Sequence, residues 1–140
     1  YKGPIVFFNA TPTDAAGAYS YPIRLNRPLY VIADIDNIGK QYNNMDLNIR
    51  MWTWDTMWGC GWIEFPTFGM LANLDACTYG VPCPIKPGRQ LLKFTMNFQR
   101  FSFIIGLLPN DAPYQLQLTF SDKDSKDKFC VNAQARALTR

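Results

Sequence analysis

The sequence lacks histidine altogether and is poor in charge, and each shortage excludes a class of function. Among 140 residues there is no histidine, and charged side chains make up only 18%, against about 25% in an average globular chain. Without an imidazole, a serine or cysteine nucleophile loses its usual general base, and histidine-ligated zinc is excluded. The sequence therefore predicts that the protein is not an enzyme and has no catalytic residue, no cofactor and no metal site.

Long hydrophobic runs and clustered positive charge are also missing. The most apolar stretch, residues 101–108, is far shorter than the ~18 residues that indicate a membrane-spanning helix. The net charge of +3 comes from scattered lysines and arginines. The densest charged run, residues 122–128, alternates in sign, which cancels the field that binding to a phosphate backbone needs. We therefore expect no nucleic-acid partner and a solvated turn at this run.

The cysteines are even in number, and their spacing favours disulfides. The sequence contains Cys60, Cys77, Cys83 and Cys130, for which three pairings exist. Gly80 and Pro82 are turn formers, so the segment between the middle two cysteines can bring their sulfurs together. Cys60 would then pair with Cys130. Free buried thiols and a metal site are the alternatives, although the close cysteine pairs typical of zinc sites are absent.

Residues Asn9-Ala10-Thr11 form an N-glycosylation sequon, which makes Asn9 a predicted glycosylation site. Disulfides form and persist mainly in oxidising compartments. The sequon and the paired cysteines together favour a secreted or luminal protein.

Alternation of apolar and polar residues dominates the sequence and predicts an all-β fold. Three segments show it clearly, residues 47–51, 92–99 and 114–120, as half-buried strands do. Residues 5–8, 29–35 and 129–138 predict further strands. Roughly six to eight strands with no long helical period are typical of an antiparallel β-sandwich, here a single domain over residues 1–140. Residues 67–76 depart from the alternation and predict a short helical turn.

Two stretches are more apolar than ordinary loops, and aromatic residues reach 15% of the chain. Residues 51–62 carry all four tryptophans, and residues 101–108 contain two phenylalanines and four aliphatic residues. Each stretch could be a buried strand of a filled core. Alternatively, the sandwich could separate its sheets around a dry space that suits a long apolar ligand. Composition alone does not distinguish the two.

The segment from Cys77 to Gly88, Cys-Thr-Tyr-Gly-Val-Pro-Cys-Pro-Ile-Lys-Pro-Gly, resembles the signature of the ML-domain lipid-recognition family. The likeness rests on the two cysteines, the Cys-Pro-Ile that follows and the glycine before the next strand. A charged turn that ends in Phe129-Cys130 before a final strand also matches. The tryptophan-rich strand and the helical turn after it look more like the ganglioside-activator branch of the family. The chain as a whole resembles the group of the ganglioside activator and the Niemann–Pick type C sterol-transfer protein.

This resemblance implies an immunoglobulin-like β-sandwich in the secreted or lysosomal/endosomal space that holds a lipid between its sheets without catalysis. Family members bind sterols, fatty acids, phospholipids or glycolipids, and some transfer them. They commonly join a cysteine near the N-terminus to one in the last strand. Since this chain has no cysteine before Cys60, the resemblance makes Cys60–Cys130 the substitute.

The leading hypothesis is therefore a lipid-binding protein, with lipid transfer and transient membrane contact as extensions of that role. The predicted lipid cavity is lined by Trp52, Trp54, Phe94, Met96, Phe98, Leu116 and Leu118. The predicted entrance consists of Phe68, Met70, Leu71, Phe101, Phe103, Ile105 and Leu107. The main alternative is an extracellular sandwich whose apolar loop, residues 101–108, contacts a protein partner. An enzyme that uses Glu64 or Asp55 is a third reading, but no motif surrounds either residue.

Overall fold

The computed structural model describes residues 4–55, 59–67 and 69–139, most of which lie in strands. The strands are β1 (Ile5–Thr13), β2 (Ile23–Arg24), β3 (Leu29–Asn37), β4 (Met45–Asp55), β5 (Gly61–Phe65), β6 (Leu74–Asp75), β7 (Gly88–Met96), β8 (Ala112–Asp122) and β9 (Lys128–Leu138). One 3-10 turn, Gln99–Phe101, leads into a short helix, α1 (Ser102–Leu107).

These strands form two sheets, and their buried faces share one hydrophobic core. The first sheet has the order β1-β3-β7. The second has the order β2-β9-β8-β4-β5, with β6 paired to β4. Neighbouring strands run antiparallel except β2 and β9, which are parallel. The predicted all-β sandwich is confirmed.

The alternation in the sequence decides which side chains face the core. In the second sheet, Leu47 of β4 pairs with Phe120 of β8, and Met51 pairs with Leu116. Because successive side chains of a strand point to opposite faces, these residues share the inner face, whereas Trp52 falls on the outer face. Every second residue of each long strand therefore contributes its side chain to the core.

The apolar stretch at residues 101–108 is a 3-10 turn followed by helix α1, and this was not predicted. Its buried residues are Phe101, Ile104, Ile105 and Leu108, whose spacing of three, four and seven residues is that of one helical face. A strand would have buried every second residue instead. No helix in the described part of the chain is long and apolar enough to cross a membrane.

The helical turn predicted at residues 67–76 is replaced by hydrogen-bonded turns and a short strand. The amide of Met70 donates to the carbonyl of Thr67 at 3.0 Å. Leu74 then pairs with Leu47 as part of β6. The carbonyl of Leu71 accepts a hydrogen bond from the amide of Ile49 at 2.9 Å. Pairing with β4 therefore takes up backbone groups that a helix would have used internally.

One of the two predicted disulfides forms, and the other prediction is wrong. Cys77 and Cys83 are bonded, with their Cα atoms 5.6 Å apart, whereas Cys60 and Cys130 are free thiols. Cys60 immediately precedes β5, and Cys130 lies on β9. The strands β8 and β4 lie between them. Three strand spacings of ~4.8 Å separate the two cysteines, which is well beyond the ~7 Å limit for bridging.

At the turn between β8 and β9, the charged run folds back on itself and on the loop that precedes β4. Asp122 is 5% exposed, and its carboxylate accepts hydrogen bonds from Lys40 at 2.9 Å and from Ser125 at 2.7 Å. Burial acts to raise the pKa of Asp122, but these hydrogen bonds outweigh it and hold the pKa below its ordinary value. Nearby, the hydroxyl of Tyr42 donates to Asp127 at 2.7 Å. Burial and this bond together raise the pKa of Tyr42.

Candidate functional site: a cavity between the sheets

A cavity of about 370 Å³ lies between the two sheets. The first sheet contributes Phe7, Val31, Ala33, Phe94 and Met96 to its wall. The second sheet contributes Leu116, Leu118, Phe120, Val131, Ala133 and Ala135. Within the described residues, no charged side chain lines this cavity, and its polar lining comes from threonine, tyrosine and glutamine. Such a wall suits an apolar ligand, since an unpaired charge placed against it would lose its hydration without a partner.

The cavity forms because the inner side chains of β9 become smaller along the strand. They are Phe129, Val131, Ala133 and Ala135 in order, and the two alanines pair with Leu116 and Tyr114 of β8. An alanine removes most of the side-chain volume that a phenylalanine supplies. The sheets stay at the distance that the larger residues set, because cores are close-packed where large side chains meet. Space therefore remains opposite the alanines.

The cavity opens at the edge where β1 faces β9. Strand β9 pairs with β2 only at Ala137 and Leu138. Along the rest of its length β9 is an edge of its sheet, and β1 is an edge of the other sheet. Two tyrosines of the loop after β1 stand at this opening and also line the cavity: Tyr19, 69% exposed, and Tyr21, 47% exposed. We call this opening, with Tyr19, Tyr21 and Gln134 around it, the mouth.

Hydrogen bonds and ring contacts position the mouth residues. The hydroxyl of Tyr21 accepts a hydrogen bond from the amide of Arg136 at 2.6 Å, which ties the loop to β9. The rings of Tyr19 and Tyr21 stack with centroids 6.5 Å apart. The side-chain amide of Gln134 donates to Gln115 at 2.7 Å. The amide of Ser20 also donates to the carbonyl of Pro12 on β1 at 3.0 Å. The mouth is thus framed by neutral groups that can hydrogen-bond, on a loop that is held to both sheets.

The disulfide loop closes another part of the wall. Tyr79 and Val81 lie between the bonded cysteines, and both line the cavity. Gly80 has a φ of +117°, and a Cβ there would collide with the carbonyl oxygen of Thr95 on β7. The amide of Thr95 donates to the carbonyl of Gly80 at 3.1 Å. Only glycine permits this close docking, which presents the two wall residues to the cavity.

The predicted cavity residues divide into two groups. Phe94, Met96, Leu116 and Leu118 lie on the cavity wall. Phe98, which follows the end of β7, lies instead in the buried core at 7% exposure. Trp52 and Trp54 are on the outer face of β4, opposite the cavity.

The outer position of the tryptophans follows from the strand register. Trp54 pairs with Trp62 of β5, and the two rings meet edge to face at 5.3 Å. The guanidinium of Arg50 lies 4.9 Å from the ring centroid of Trp52 and also forms two hydrogen bonds with Glu64, at 2.9 and 2.6 Å. The hydrogen bond from Arg50 lowers the pKa of Glu64. Trp52, Trp54 and Trp62 thus form an outer aromatic surface instead of a cavity lining.

The predicted entrance residues do not lie at the mouth. Phe101 and Ile105 are buried in the core, whereas Phe103 and Leu107 of α1 are 67% and 53% exposed. The ring of Phe101 packs against Tyr79, with centroids 6.1 Å apart, behind the cavity wall.

The other predicted entrance segment lies in the turns before β6. Met70 is 40% exposed and Leu71 is buried. Neither of them lines the cavity. Phe68 lies outside the described residues.

Sequence reasoning missed the residues that create the cavity and its mouth. The alternate small residues of the last strand, Ala133 and Ala135, were the available signal, since a filled core places larger side chains there. Tyr19 and Tyr21 gave a weaker signal, two aromatic residues in an otherwise small and polar loop. Asn9 of the sequon has an exposed side chain on β1, one of the strands beside the mouth.

No protein-family model matches this chain, and no curated protein matches it.

Proposed function

We propose that the protein is a non-catalytic lipid-binding protein that holds an apolar chain or ring system between its two sheets. The observation that carries this proposal is the cavity of about 370 Å³, with its uncharged wall. Burial of each methylene contributes about 0.8 kcal/mol without any directional contact. A wall of aliphatic and aromatic side chains is therefore sufficient to bind such a ligand.

The volume of the cavity limits the size of the ligand that it can enclose. Roughly a dozen groups the size of a water molecule fit, at ~30 Å³ each. That corresponds to one medium-length acyl chain or the buried part of a larger lipid. The remainder of a longer lipid would extend through the mouth, past Tyr19 and Tyr21.

The resemblance of the Cys77–Gly88 segment to the ML-domain family supports the same function, and we propose membership of that family. The disulfide supports the proposal that the protein is secreted or resides in the lysosomal or endosomal lumen. The exposed side chain of Asn9 supports the proposal that it carries a glycan. Loading and release would involve transient contact with a membrane, and transfer of lipid between membranes would follow from it.

The direct test is to identify what the protein carries. Protein purified without detergent is analysed by native mass spectrometry, and its organic extract by lipidomics. We expect a stoichiometric lipid. The matched variants are Ala135→Phe, which fills the cavity, and Asn132→Phe, which places the same side chain at an exposed position of the same strand that does not line it. A lipid retained by Asn132→Phe and lost by Ala135→Phe, with both variants folded by circular dichroism, supports the proposal.

Absence of lipid, together with no uptake of added fatty alcohol, fatty acid or sterol, would refute it. Equal uptake by both variants would place any bound lipid outside the cavity.

A second candidate function, binding of a protein partner through α1, is favoured by one observation. Phe103 and Leu107 are 67% and 53% exposed, and residues four apart share one face of a helix. Phe103→Asp separates the two functions. Loss of a partner from pull-downs with unchanged lipid content would favour this candidate. Unchanged partner binding would leave lipid binding as the one supported function.

A further inference from the structure

A second pocket, which we call the basic pocket, lies beside the lipid cavity. It has a volume of about 350 Å³ and is formed by the end of β1, β2, the start of β3 and the loops between them. Its polar lining includes Arg24, Arg27, Ser20 and Tyr30. Unlike the cavity, it therefore offers positive charge together with hydroxyl groups.

The two arginines of this pocket have no acidic partner within the described residues. Arg50, Arg89 and Arg136 each form an ion pair with a carboxylate, at 2.6 to 2.8 Å. No such ion pair involves Arg24 or Arg27 in the same part of the chain. Two unpaired guanidinium groups on one pocket are a site for an anion, since guanidinium groups bind carboxylate and phosphate with paired hydrogen bonds.

One carboxylate also lines the basic pocket, and its hydrogen bonds are local. Oδ1 of Asp14 accepts hydrogen bonds from the amides of Ala16 at 2.9 Å and Ala18 at 3.0 Å, which hold the loop that precedes the mouth tyrosines. The titratable lining of the pocket is therefore two guanidinium groups, this carboxylate and the phenol of Tyr30. At neutral pH the positive charge exceeds the negative.

Ile23 and Leu29 line both the basic pocket and the lipid cavity, which are therefore neighbours. Each of these side chains is 8% exposed. On one side of them lies an uncharged apolar wall, and on the other lie the two arginines. This arrangement matches a molecule with an apolar tail and an anionic head.

We propose that the ligand is an anionic single-chain lipid whose carboxylate or phosphate binds Arg24 and Arg27 while its tail occupies the cavity. This inference rests on the proposed lipid-binding function and names the class of ligand. The head group cannot follow the tail inward, because the cavity wall offers it no counter-charge. The cavity volume limits the length of the enclosed tail to roughly a dozen carbons.

Isothermal titration calorimetry with three probes of equal chain length tests this proposal. The probes are dodecanoic acid, dodecyl phosphate and the neutral 1-dodecanol. The two anions are kept below their critical micelle concentrations, and dodecanol is kept below its solubility in water. The proteins are the wild type, Arg24→Gln/Arg27→Gln and the matched control Lys93→Gln/Lys126→Gln. The control loses the same charge at exposed positions that line neither pocket. Circular dichroism confirms that each variant is folded.

We expect the wild type and the control to bind at least one of the anions about tenfold more tightly than dodecanol. The arginine variant should lose that preference while its affinity for dodecanol stays unchanged. Added salt should reduce the preference of the wild type, because the arginines are solvent-exposed. The anion whose affinity falls more in the arginine variant identifies the head group as carboxylate or phosphate.

Two other results would overturn this inference and are distinguishable from failure of the proposed function. If the wild type binds dodecanol and the anions equally, or if the arginine variant keeps the preference for anions, the anion site is refuted and lipid binding stands. If the wild type binds none of the three probes, the lipid-binding function itself fails, and the anion site fails with it.

Discussion

The two ends of the sandwich follow the same alternation of residues, yet one end is filled and the other is hollow. At the filled end, the ring of Phe129 stacks on Phe120 with centroids 4.8 Å apart and lies 6.0 Å from that of Tyr42. Tyr42 and Met45 have no exposed surface. At the hollow end, the corresponding inner positions of β9 hold Ala133 and Ala135, and the space opposite them is the cavity.

Side-chain volume, and not polarity, therefore decides which end of this sandwich is hollow. Phe120 belongs to both regions, since it lines the cavity and stacks on Phe129. It forms the floor of the cavity and joins it to the packed core. The filled end keeps the sheets together, and the hollow end can therefore stay open without loss of the fold.

The largest expected effect comes from opening the filled end. Phe129→Ala should lower the free energy of unfolding by about 3–5 kcal/mol, because a cavity replaces a ring in a close-packed region. Leu116→Ala, on the wall of the existing cavity, should cost only about 2 kcal/mol, the low end of the range for leucine, because this side chain is only half-buried. Urea denaturation of both variants measures the difference. An equal or larger loss in Leu116→Ala would contradict the division into a filled and a hollow end.

The next effect concerns the covalent support of the hollow end. Cys77→Ser/Cys83→Ser opens a loop whose ends are six residues apart in sequence, and loop-closure entropy gives a loss of about 2.4 kcal/mol. Since Tyr79 and Val81 lie in that loop and line the cavity, dodecanol binding should weaken as well. The wild type in reducing agent is the control and should behave like the variant. Unchanged binding in both would show that the loop does not shape the wall.

A smaller effect is expected from the charged turn at the filled end. Asp122→Asn should cost about 1.5 kcal/mol near neutral pH, since Asp122 accepts a charge-assisted hydrogen bond from Lys40. The folded-state pKa of Asp122 lies below its ordinary value of 3.8, so its contribution is complete above that pH. The contribution is lost as the pH falls through the lower folded-state value.

Denaturation of wild type and Asp122→Asn as a function of pH measures this effect. The difference between the two proteins should stay constant from neutral pH down to about pH 5 and should shrink below about pH 4. Dodecanol binding should be the same in both, because the turn does not line the cavity. A difference that widens in acid would contradict the assigned direction of the pKa.

The long strands could be predicted from the sequence because alternation reports directly on burial in a sheet. The predicted segments 47–51, 114–120 and 129–138 lie within β4, β8 and β9. The short strands β2 and β6 were not predicted, since two residues carry no periodicity. Helix α1 was not predicted, although the buried residues of the stretch that contains it, 101, 104, 105 and 108, have helical spacing. A stretch in which six of eight residues are apolar predicts burial in either a strand or a helix, so its composition does not reveal the helix.

Most of the candidate site depended on information that the sequence does not express locally. Phe94 and Leu118 could be predicted for the wall because each is a large apolar residue in a segment that alternates with polar residues. The cavity, however, exists because of small residues, and an alanine in a strand looks unremarkable until its neighbours across the two sheets are known. The tryptophans were placed inside because they are large, whereas the alternation with Met51 already directs Trp52 outward. The mouth depends on which strands are edges, and that is a property of the topology.

The smallest expected effect concerns the two free cysteines. Cys60→Ser and Cys130→Ser should each change the free energy of unfolding by less than about 0.5 kcal/mol, whereas loss of a disulfide between these positions would cost about 4 kcal/mol. Alkylation without reductant should label both thiols, Cys60 faster because it is exposed and Cys130 is half-buried. Protection of both thiols until reductant is added would contradict the structure.

Both cysteines belong to the second sheet, so even a bond between them would not tie one sheet to the other. The spacing of the sheets at the mouth therefore depends on non-covalent packing at the filled end, and Phe129→Ala should disturb lipid binding where neither cysteine variant does.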